Sequence, residues 1–317
     1  MEIAIQNGST IYYPIVEGGV TWETERKGSP GKFTFTVIKD PNIAFQEGNA
    51  VMMKFDDTKV FYGFVFQKKR DKQQHIQVTA YDQLRYFKNK DTYVYSNKRL
   101  DEVVNMIASD FRLNVGTLEN TGFKIPNRVE QNKTLFDIVQ TAHDITLQNI
   151  KKMFVLYDDY GKLTLKNIES MKLDLLIDEE TGENFDYSSS IDGETYNKIK
   201  LAYENEKIGK REIYIAQDSK NMNDWGVLQF FDTIKEGVNG KAKADALLQL
   251  YNQKTRNLTI KKAFGDIRVR AGSAVVVGLN LGDMIVQKYM MVEKVKHTFE
   301  DSEHWMDLTL RGGEFIA

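Results

Sequence analysis

The chain contains no cysteine and only four prolines among its 317 residues. Without cysteine there is no disulfide framework, no thiolate zinc site and no cysteine nucleophile. The four histidines, His75, His143, His297 and His304, have no second histidine within five residues. Metal ligands must converge at a suitable spacing, and this spacing does not provide that. We therefore expect no metal and no other cofactor.

Charge of one sign is also lacking, since 43 Lys and Arg nearly balance 45 Asp and Glu. A protein whose main partner is nucleic acid usually shows a clear basic excess, so we expect no specific nucleic-acid partner. No stretch approaches the roughly 18 consecutive apolar residues of a membrane span. Residues 1–5 lack the positive region and apolar run of a secretory signal. We expect a chain that is made in the cytoplasm and does not insert directly into a membrane.

What the sequence does contain is enough apolar material for a packed interior, with 41% hydrophobic and 11% aromatic residues. At this length the chain can form two or three domains, each with its own core. Its most informative feature is an order of β-strands and turns that occurs twice in the sequence. The order in both copies is a strand, a Gly-x-Ala-Val turn, a strand, a central strand and a long last strand.

The two copies lie near the two ends of the chain. The first contains Lys32-Phe33-Thr34-Phe35-Thr36-Val37, Gly48-Asn49-Ala50-Val51, Gly63-Phe64-Val65 and Ile76-Gln77-Val78-Thr79-Ala80. The second contains Asn257-Leu258-Thr259-Ile260, Gly272-Ser273-Ala274-Val275, Met291-Val292-Glu293-Lys294-Val295 and Met306-Asp307-Leu308-Thr309-Leu310. A duplicated barrel suggests that the repeats serve to arrange subunits in an assembly. This favours an assembly component over an enzyme.

Between the two copies the hydrophobic period changes from 2 to 3.6. Apolar residues from Leu100 to Phe111 and from Leu135 to Ala142 predict two helices, the second capped by Thr134. Residues 154–166 predict a hairpin, and the acidic, serine-rich residues 178–192 predict an exposed link. Strands resume at 198–203 and 211–216, and residues 244–251 predict a third helix.

The sequence thus predicts a β-rich α+β protein in which two β-barrel domains flank a small α+β domain. The predicted boundaries are residues 1–90 for the first barrel and 91–192 for the middle domain. Residues 193–317 form the predicted second barrel, with one inserted helix.

Catalytic motifs are weak throughout. Glycoside hydrolysis needs two carboxylates at a controlled separation, and nothing distinguishes Glu23, Glu47, Asp82 or Glu293 from the many other acidic residues. The run Gly237-x-x-Gly240-Lys241 has the wrong spacing for a phosphate-binding loop. We therefore predict that the chain is not an enzyme.

An aromatic run with interleaved basic residues has two interpretations. Its aromatic members are Tyr62, Phe64, Phe66, Tyr81, Tyr86, Phe87, Tyr93 and Tyr95, and its basic members are Lys68, Lys69, Arg70, Arg85, Lys88 and Lys90. Such residues can stack bases or sugars. They can also form a barrel core and a cluster at a domain junction, which is the interpretation we favour.

The motif Val78-Thr79-Ala80-Tyr81-Asp82-Gln83-Leu84-Arg85-Tyr86 resembles a signature of the baseplate hub proteins of Gram-positive contractile tails. Three C-terminal segments resemble the same family: Asp266-Ile267-Arg268-Val269-Arg270-Ala271-Gly272-Ser273, Val292-Glu293-Lys294-Val295-Lys296-His297 and Met306-Asp307-Leu308-Thr309-Leu310-Arg311. These hub proteins occur in PBSX-type prophages, myophages and contractile bacteriocins. By fold they are related to the hub of T4-type tails and to the base of the type VI secretion spike.

The resemblance implies a homotrimer in which each chain contributes two tube-type β-barrels. Six similar barrels would form a pseudo-sixfold ring that adapts a hexameric tail tube to a threefold spike. The implied partners are the tail tube protein, the spike protein, baseplate wedge proteins and, as a further candidate, the tape-measure protein. The implied location is the tail baseplate of a virion or bacteriocin, after synthesis in the bacterial cytoplasm. Exposed barrel edges would pair where barrels join.

Two groups of residues are candidates for interfaces and domain junctions. One is the compact motif between the first barrel and the middle domain, with Tyr81, Asp82, Leu84, Arg85 and Tyr86. The other is the pair of turn glycines, Gly48 and Gly272.

Other classes of function remain open. A carbohydrate-binding or adhesion module would use the aromatic residues around 81–95, and a cell-wall hydrolase of the tail tip would place its site in the middle domain. A tail-tube or distal-tail protein would be hexameric and would need only one barrel per chain.

Overall fold

The computed structural model describes residues 1–205, 209–234, 238–282 and 285–312. The chain divides into two compact units. The larger unit comprises Met1–Asp186 and Leu258–Ala317, and the smaller unit, Tyr187–Asn257, is inserted between them in the sequence. The predicted third domain, 193–317, is therefore shared between the two units. The predicted boundaries at 90 and 192 stay a prediction.

The first part of the larger unit consists of strands. They are β1 (Glu2–Asn7), β2 (Thr10–Tyr12), β3 (Val16–Glu25), β4 (Lys32–Ile38), β5 (Ala50–Phe55), β6 (Thr58–Arg70) and β7 (His75–Tyr81). In β4 the side chains of Phe33, Phe35 and Val37 are buried, whereas Thr34 and Thr36 are half-buried. This is the alternation that a strand with one face on a core requires.

The middle part follows a short 3-10 helix (Gln83–Lys88) and mixes strands with helices. Its elements are β8 (Lys90–Tyr95), α1 (Leu100–Asp110), β9 (Val115–Leu118), β10 (Arg128–Thr134), α2 (Leu135–Ile150), β11 (Phe154–Asp158), β12 (Leu163–Asn167) and a second 3-10 helix (Ile168–Met171). Both predicted helices and the hairpin are confirmed. Thr134 caps α2 by accepting a hydrogen bond from the backbone N–H of Asp137 at 3.1 Å.

The remaining elements complete both units. They are β13 (Lys172–Asp178), β14 (Asn184–Ser190), β15 (Lys198–Asn205), β16 (Lys210–Gln217), α3 (Ser219–Trp225), β17 (Gln229–Thr233), α4 (Gly240–Tyr251), β18 (Thr255–Phe264), β19 (Ala274–Asn280), β20 (Ile285–Glu300) and β21 (Glu303–Gly312). Within the predicted exposed link over 178–192, residues 184–190 form the strand β14, and most of its side chains are exposed. Five of its seven residues are polar, so a search for a clearly apolar strand face does not find it.

One thirteen-stranded sheet joins the two ends of the chain. Its N-terminal half has the order β3-β4-β7-β6-β5-β1-β2, and its C-terminal half has the order β14-β18-β21-β20, with β19 on β20 and β13 on β19. The halves meet where β20 pairs with β3. Among the described strands, no pairing returns to close either half into a barrel.

The strand order confirms the predicted duplication. In the first half β4, β7, β6 and β5 are consecutive neighbours, and in the second half β18, β21, β20 and β19 are consecutive neighbours in the same order. By position, β3 then corresponds to β14. The outer strand differs, because β1 runs antiparallel to β5 whereas β13 runs parallel to β19. The duplication is therefore one of core strands and not of every element.

Several hydrophobic clusters lie in the described part of this unit, and two of them are large. One lies under the N-terminal strands and includes Phe33, Phe35 and Trp22 together with Phe299 from β20. The other packs the apolar faces of α1 and α2 on β11 and β12, with Leu100, Ile107, Leu135, Ile138 and Leu165 among its buried members. Burying a side chain of this size contributes about 1.5–3 kcal/mol.

The smaller unit has a sheet of its own, in the order β16-β15-β17. Strand β15 is antiparallel to β16 and parallel to β17. Ala244 and Leu247 of α4 pack on Ile199 and Leu201 of β15. The predicted strands at 198–203 and 211–216 and the third predicted helix are confirmed as elements, but the two strands lie in this separate sheet. Residue 237 of the glycine run lies outside the described residues, and Gly240 begins α4.

Candidate functional site

The most distinctive site of the larger unit is the seam at which β3 pairs with β20. The register runs from Lys294 opposite Glu25 to Phe299 opposite Val20. At one end of the seam, the Arg26 guanidinium donates two hydrogen bonds to the Glu293 carboxylate, at 2.8 and 2.9 Å. The backbone N–H of Arg26 also donates to the Glu293 carbonyl at 2.9 Å. Backbone and side chains together fix the register of the seam.

The Arg26–Glu293 pair differs from the other charges of the seam because it is shielded from water. The Arg26 side chain is 4% exposed and that of Glu293 is 22% exposed. A two-bond arginine–carboxylate pair in such a place is strong and directional. By contrast, Glu23 lies 3.5 Å from the ammonium groups of both Lys32 and Lys294, which are more than 40% exposed. Pairs of that kind stabilise little in water.

Two histidines lie beneath the seam. The His297 ring stacks on Trp22 with centroids 4.8 Å apart. Its Nε2 lies 2.9 Å from the carbonyl oxygen of Val269, and its Nδ1 lies 2.9 Å from Nε2 of His304. Burial lowers the pKa of His297 to about 3 and that of His304 to about 4. Both rings are therefore neutral near pH 7, with His297 donating to Val269 and accepting from His304.

The two turn glycines make equivalent backbone hydrogen bonds in the two repeats. Gly48 donates its N–H to the carbonyl of Val65 at 2.8 Å, and Gly272 donates to the carbonyl of Val292 at 2.7 Å. Each valine N–H is in turn bonded to the carbonyl after its glycine, at Asn49 or Ser273. The φ angles are +88° and +93°, a region that glycine adopts at low cost.

A register break follows each of these valines. The pairing of β6 with β7 shifts between Val65 and Gln67, and that of β20 with β21 shifts between Val292 and Lys294. An extra residue bends a strand and increases its twist. The extra residues, Phe66 and Glu293, thus occupy equivalent positions. Glu293 uses this position to reach Arg26.

The segment that follows β7 is hydrogen-bonded both to the N-terminal strands and to the middle part, and we refer to this region as the junction. The Asp82 carboxylate accepts hydrogen bonds from the N–H groups of Gly31 and Leu84, at 2.8 and 3.0 Å. The next residue, Gln83, accepts from the N–H of Asn114 at 2.8 Å and donates to the carbonyl of Gly161 at 2.6 Å. One short segment is thereby tied to both parts.

Arg270, from the loop between β18 and β19, joins the same junction. Its guanidinium donates to the carbonyl of Asp158 at 3.2 Å and lies over the Tyr157 ring, 4.4 Å from the centroid. The Trp22 ring is 5.8 Å away on the seam side. These groups line an open cleft. Segments from the first repeat, the middle part and the second repeat meet here.

Two carboxyls at the junction have raised pKa values. Burial raises the pKa of Asp82 well above its usual value, and the nearby Asp158 carboxylate raises it further. Burial also raises the pKa of Asp158, which accepts hydrogen bonds from Gly161 N–H at 2.6 Å and Gln83 Nε2 at 3.1 Å. Raised carboxyl pKa values are also found in active sites. Here the oxygens bind the protein's own backbone and amide groups, which indicates a structural role.

The other predicted junction residues separate into two environments. Leu84 is buried in the core of α1 and α2. The Arg85 guanidinium lies 5.3 Å from the centroid of the Phe66 ring. The ring centroids of Tyr81 and Tyr86 lie 5.6 and 6.1 Å from that of Phe66.

The aromatic run is divided in the same way. Tyr62 and Phe64 continue the half-buried cluster along β6. Phe87, Tyr93 and Tyr95 are instead buried in the core of the middle part. The run therefore does not form one continuous stacking platform.

Sequence reasoning missed several of the residues that build this site. Arg26 and Glu293 are 267 positions apart, and no local pattern connects them. His297 and His304 meet because β20 and β21 form a hairpin, so a search for closely spaced histidines does not find them. Gln83 did carry a signal, since it lies inside the predicted motif.

The described part of the chain holds no group of three or more His, Cys, Asp or Glu side chains arranged to bind a metal ion. Within that same part, none of the helices combines the length and apolar character needed to cross a bilayer.

The fold is that of phage tail proteins. A tail protein of prophage MuSo2 from Shewanella oneidensis superimposes with a TM-score of 0.72 over 100% of both chains, at 12% sequence identity. The E. coli protein c3393, a type VI secretion component described as structurally similar to T4 tail proteins gp27 and gp5, gives a TM-score of 0.59. That match covers 99% of this chain and 78% of c3393, at 11% identity.

The chain belongs to the YqbQ-like family, whose model matches residues 20–311. Two Bacillus subtilis (strain 168) relatives are each 29% identical to it, the uncharacterized protein YqbQ over 312 residues and the phage-like element PBSX protein XkdQ over 311 residues. Each alignment covers 94% of this chain and 93% of the relative. The resemblance to proteins of PBSX-type elements is thereby confirmed.

Proposed function

We propose that this chain is a structural component of a contractile tail, the baseplate hub, and not an enzyme. Three copies, each with two tube-type barrels, would form a ring of six similar barrels. One face of the ring would match a hexameric tail tube and the other a threefold spike. The observation that carries the proposal is the pair of repeated strand sets joined edge to edge by β3 and β20 within one chain.

The seam supports this function because it connects the two repeats by pairing the edge strand of one with the edge strand of the other. An exposed edge is an aggregation hazard in a monomer, whereas paired edges hold neighbouring barrels at a fixed spacing. Two barrels per chain also resolve a symmetry mismatch, since a trimer then presents six equivalent positions. The fold shared with tail proteins and with c3393 agrees with such a role.

The junction around Asp82, Gln83 and Arg270 would fix the middle part against the two repeats. We assign Tyr81, Leu84, Arg85 and Tyr86 to this junction because Leu84 packs in the core of the middle part, whereas Tyr81, Arg85 and Tyr86 contact Phe66 of β6. Gly48 and Gly272 would shape the equivalent turns of the two barrels. The partners would be tail tube, spike, baseplate wedge and tape-measure proteins in a phage or bacteriocin particle.

The test is the oligomeric mass of the purified chain, alone and mixed with its candidate spike protein, followed by image averaging without imposed symmetry. We expect a trimer with six barrel-sized densities in one ring. A monomer in both conditions, or a hexamer with one barrel per chain in the ring, would contradict the hub function. The hexamer would instead point to a tail-tube or distal-tail protein.

Two alternative functions make different predictions. A glycan-binding module would use the half-buried rings of Tyr62, Phe64 and Phe66, and the monomer would bind cell-wall glycan. A hydrolase would lose activity on cell-wall substrate when Asp158 is changed to Asn. Neither alternative accounts for the repeated strand sets, and both can be tested with the same purified chain.

A further inference from the structure

We propose that neighbouring copies of this chain join through two strand edges, the outer edge of β14 and residues 67–70 at the end of β6. The joint between copies would repeat the β3·β20 seam that already exists inside each chain. This inference rests on the proposed hub function and specifies the surface by which one copy binds the next.

The first half of the argument is the correspondence between β6 and β20. One edge of β20 pairs with β21, and its other edge pairs first with β19, over 285–291, and then with β3, over 294–299. Strand β6 pairs with β7 on one edge and with β5, over 58–64, on the other. Beyond its register break, residues 67–70 have no strand on that second edge among the described strands. This is the position that β3 fills in the second repeat.

The second half is the correspondence between β3 and β14. Strand β3 lies beside β4 and offers its other edge to β20, and β14 lies beside the equivalent strand β18. β14 ends the sheet on that side, and no other described strand follows it. Asn184, Phe185 and Asp186 at its start are exposed. Each chain thus has one edge that corresponds to β3, on β14, and one edge that corresponds to β20, at residues 67–70, and neither has a further strand beside it among the described strands.

The internal seam and the two free edges have the same charge distribution, with acidic residues on one strand and basic residues on the other. Inside the chain, acidic residues of β3 face basic residues of β20, with Glu25 opposite Lys294 and Glu23 opposite Lys296. At the unfilled edges, β14 contains Asp186 and is preceded by Glu183, whereas β6 ends in Lys68-Lys69-Arg70. Opposite charges steer the two edges together and disfavour pairing of either edge with its own copy.

The two edges differ from each other, so the contact is head to tail. Contacts of this kind generate a closed ring when the rotation between copies closes. With three copies the ring contains six seams, three inside chains and three between chains. The seams between chains lack the shielded arginine–carboxylate pair, because Phe66 occupies the position equivalent to that of Glu293. We therefore expect the seams between chains to open more easily than those within them.

The absence of cysteine allows a direct test by disulfide trapping. The substitution Lys69→Cys is combined in turn with Asn184→Cys, Phe185→Cys and Asp186→Cys, and each protein is oxidised under conditions in which the wild type assembles. Directly opposite residues of antiparallel strands have Cβ atoms about 4.5–5.5 Å apart, close enough for some pairs to form a disulfide. We expect at least one pair to give covalent dimers and trimers on a non-reducing gel, with trimers as the largest product.

The matched control is Glu23→Cys with Lys296→Cys, which lie opposite each other inside one chain. This pair should close within the monomer and give no ladder. If the wild type is trimeric and the control closes, but no Lys69 pair yields covalent dimers, the proposed interface is overturned while the hub function stands. Covalent products larger than a trimer would overturn the closed ring. A chain that stays monomeric with its spike partner would overturn the hub function itself.

A charge swap gives a second measurement. The variant Lys69→Glu with Arg70→Glu should raise the protein concentration needed for half-maximal trimer formation at least tenfold. Adding Glu183→Lys and Asp186→Lys should restore most of this loss, because opposite charges face each other again. If the four-residue variant associates no better than the two-residue variant, these edges do not face each other.

Discussion

At the scale of single residues, the two turn glycines are equivalent in backbone conformation but not in surroundings. A Cβ built on Gly48 has no heavy atom within 4 Å, whereas one built on Gly272 lies 2.6 Å from Cγ1 of Val155. Gly272 therefore serves both the turn and the close approach of the middle part.

This difference gives a prediction for alanine substitutions. Gly48→Ala should lower the free energy of unfolding by about 1 kcal/mol, since alanine is strained at positive φ. Gly272→Ala should cost clearly more, because its methyl group also displaces Val155. Chemical denaturation measures both values. In the Gly272→Ala background, Val155→Ala should recover part of the loss, and strictly additive effects would show that the Val155 contact has no weight.

The shielded pair Arg26–Glu293 gives a second prediction. Glu293→Ala leaves a guanidinium that is 4% exposed without its carboxylate, and we expect a loss of about 3 kcal/mol in the free energy of unfolding. Glu25→Ala removes an exposed charge from the same seam and should cost less than about 1 kcal/mol. Equal losses in the two variants would show that the shielded pair has no special weight.

At the scale of elements, the hairpin of β20 and β21 should make stability depend on pH. His297 is neutral when folded, with a pKa of about 3, against about 6.5 when unfolded. The unfolded chain therefore binds a proton that the folded chain does not, and stability falls as pH drops below 6.5. Asp82 and Asp158 act in the opposite direction, because their raised pKa values favour the folded state at low pH.

We expect the contribution of His297 to fall by about 2 kcal/mol between pH 7 and pH 5. The measurement is the free energy of unfolding at both pH values for the wild type and for His297→Gln. The variant should show the smaller loss, and His304, with a pKa of about 4, should account for part of the loss that remains. If the two proteins depend on pH equally, His297 is not the responsible group.

Elements also show how much of the fold follows from the sequence. The helices α1 and α2, the cap at Thr134 and the repeated strands were predictable because each depends on a local period or on a motif copied at two places. The strand β14 was not, since five of its seven residues are polar and only Phe185 and Tyr187 mark one face. The seam was not predictable either, because Arg26 and Glu293 come together only after two distant strands pair.

At the scale of the whole molecule, the turn at Gly48 connects local strain with assembly. We predict that Gly48→Val abolishes ring formation while the middle part stays folded. A β-branched residue is strongly disfavoured at φ +88°, and the change disturbs the hydrogen bond that places Val65 before the register break. The readouts are the oligomeric mass and the helical circular dichroism signal, to which α1 and α2 contribute.

The control is Gly8→Val, in the turn between β1 and β2, where φ is also positive and a Cβ meets no atom within 4 Å. It introduces similar strain away from the seam and should still assemble. If particles that contain Gly48→Val assemble normally, the turn is not required for the ring.

The separation of the two seam strands along the chain has a consequence for synthesis. Strand β3 leaves the ribosome early, but its partner in β20 follows about 270 residues later, which at about 5–20 residues per second means a delay of about 15–50 s. During that time the edge of β3 has no partner within its own chain. A truncated product never acquires that partner, so the internal seam forms only in molecules whose translation has proceeded through β20.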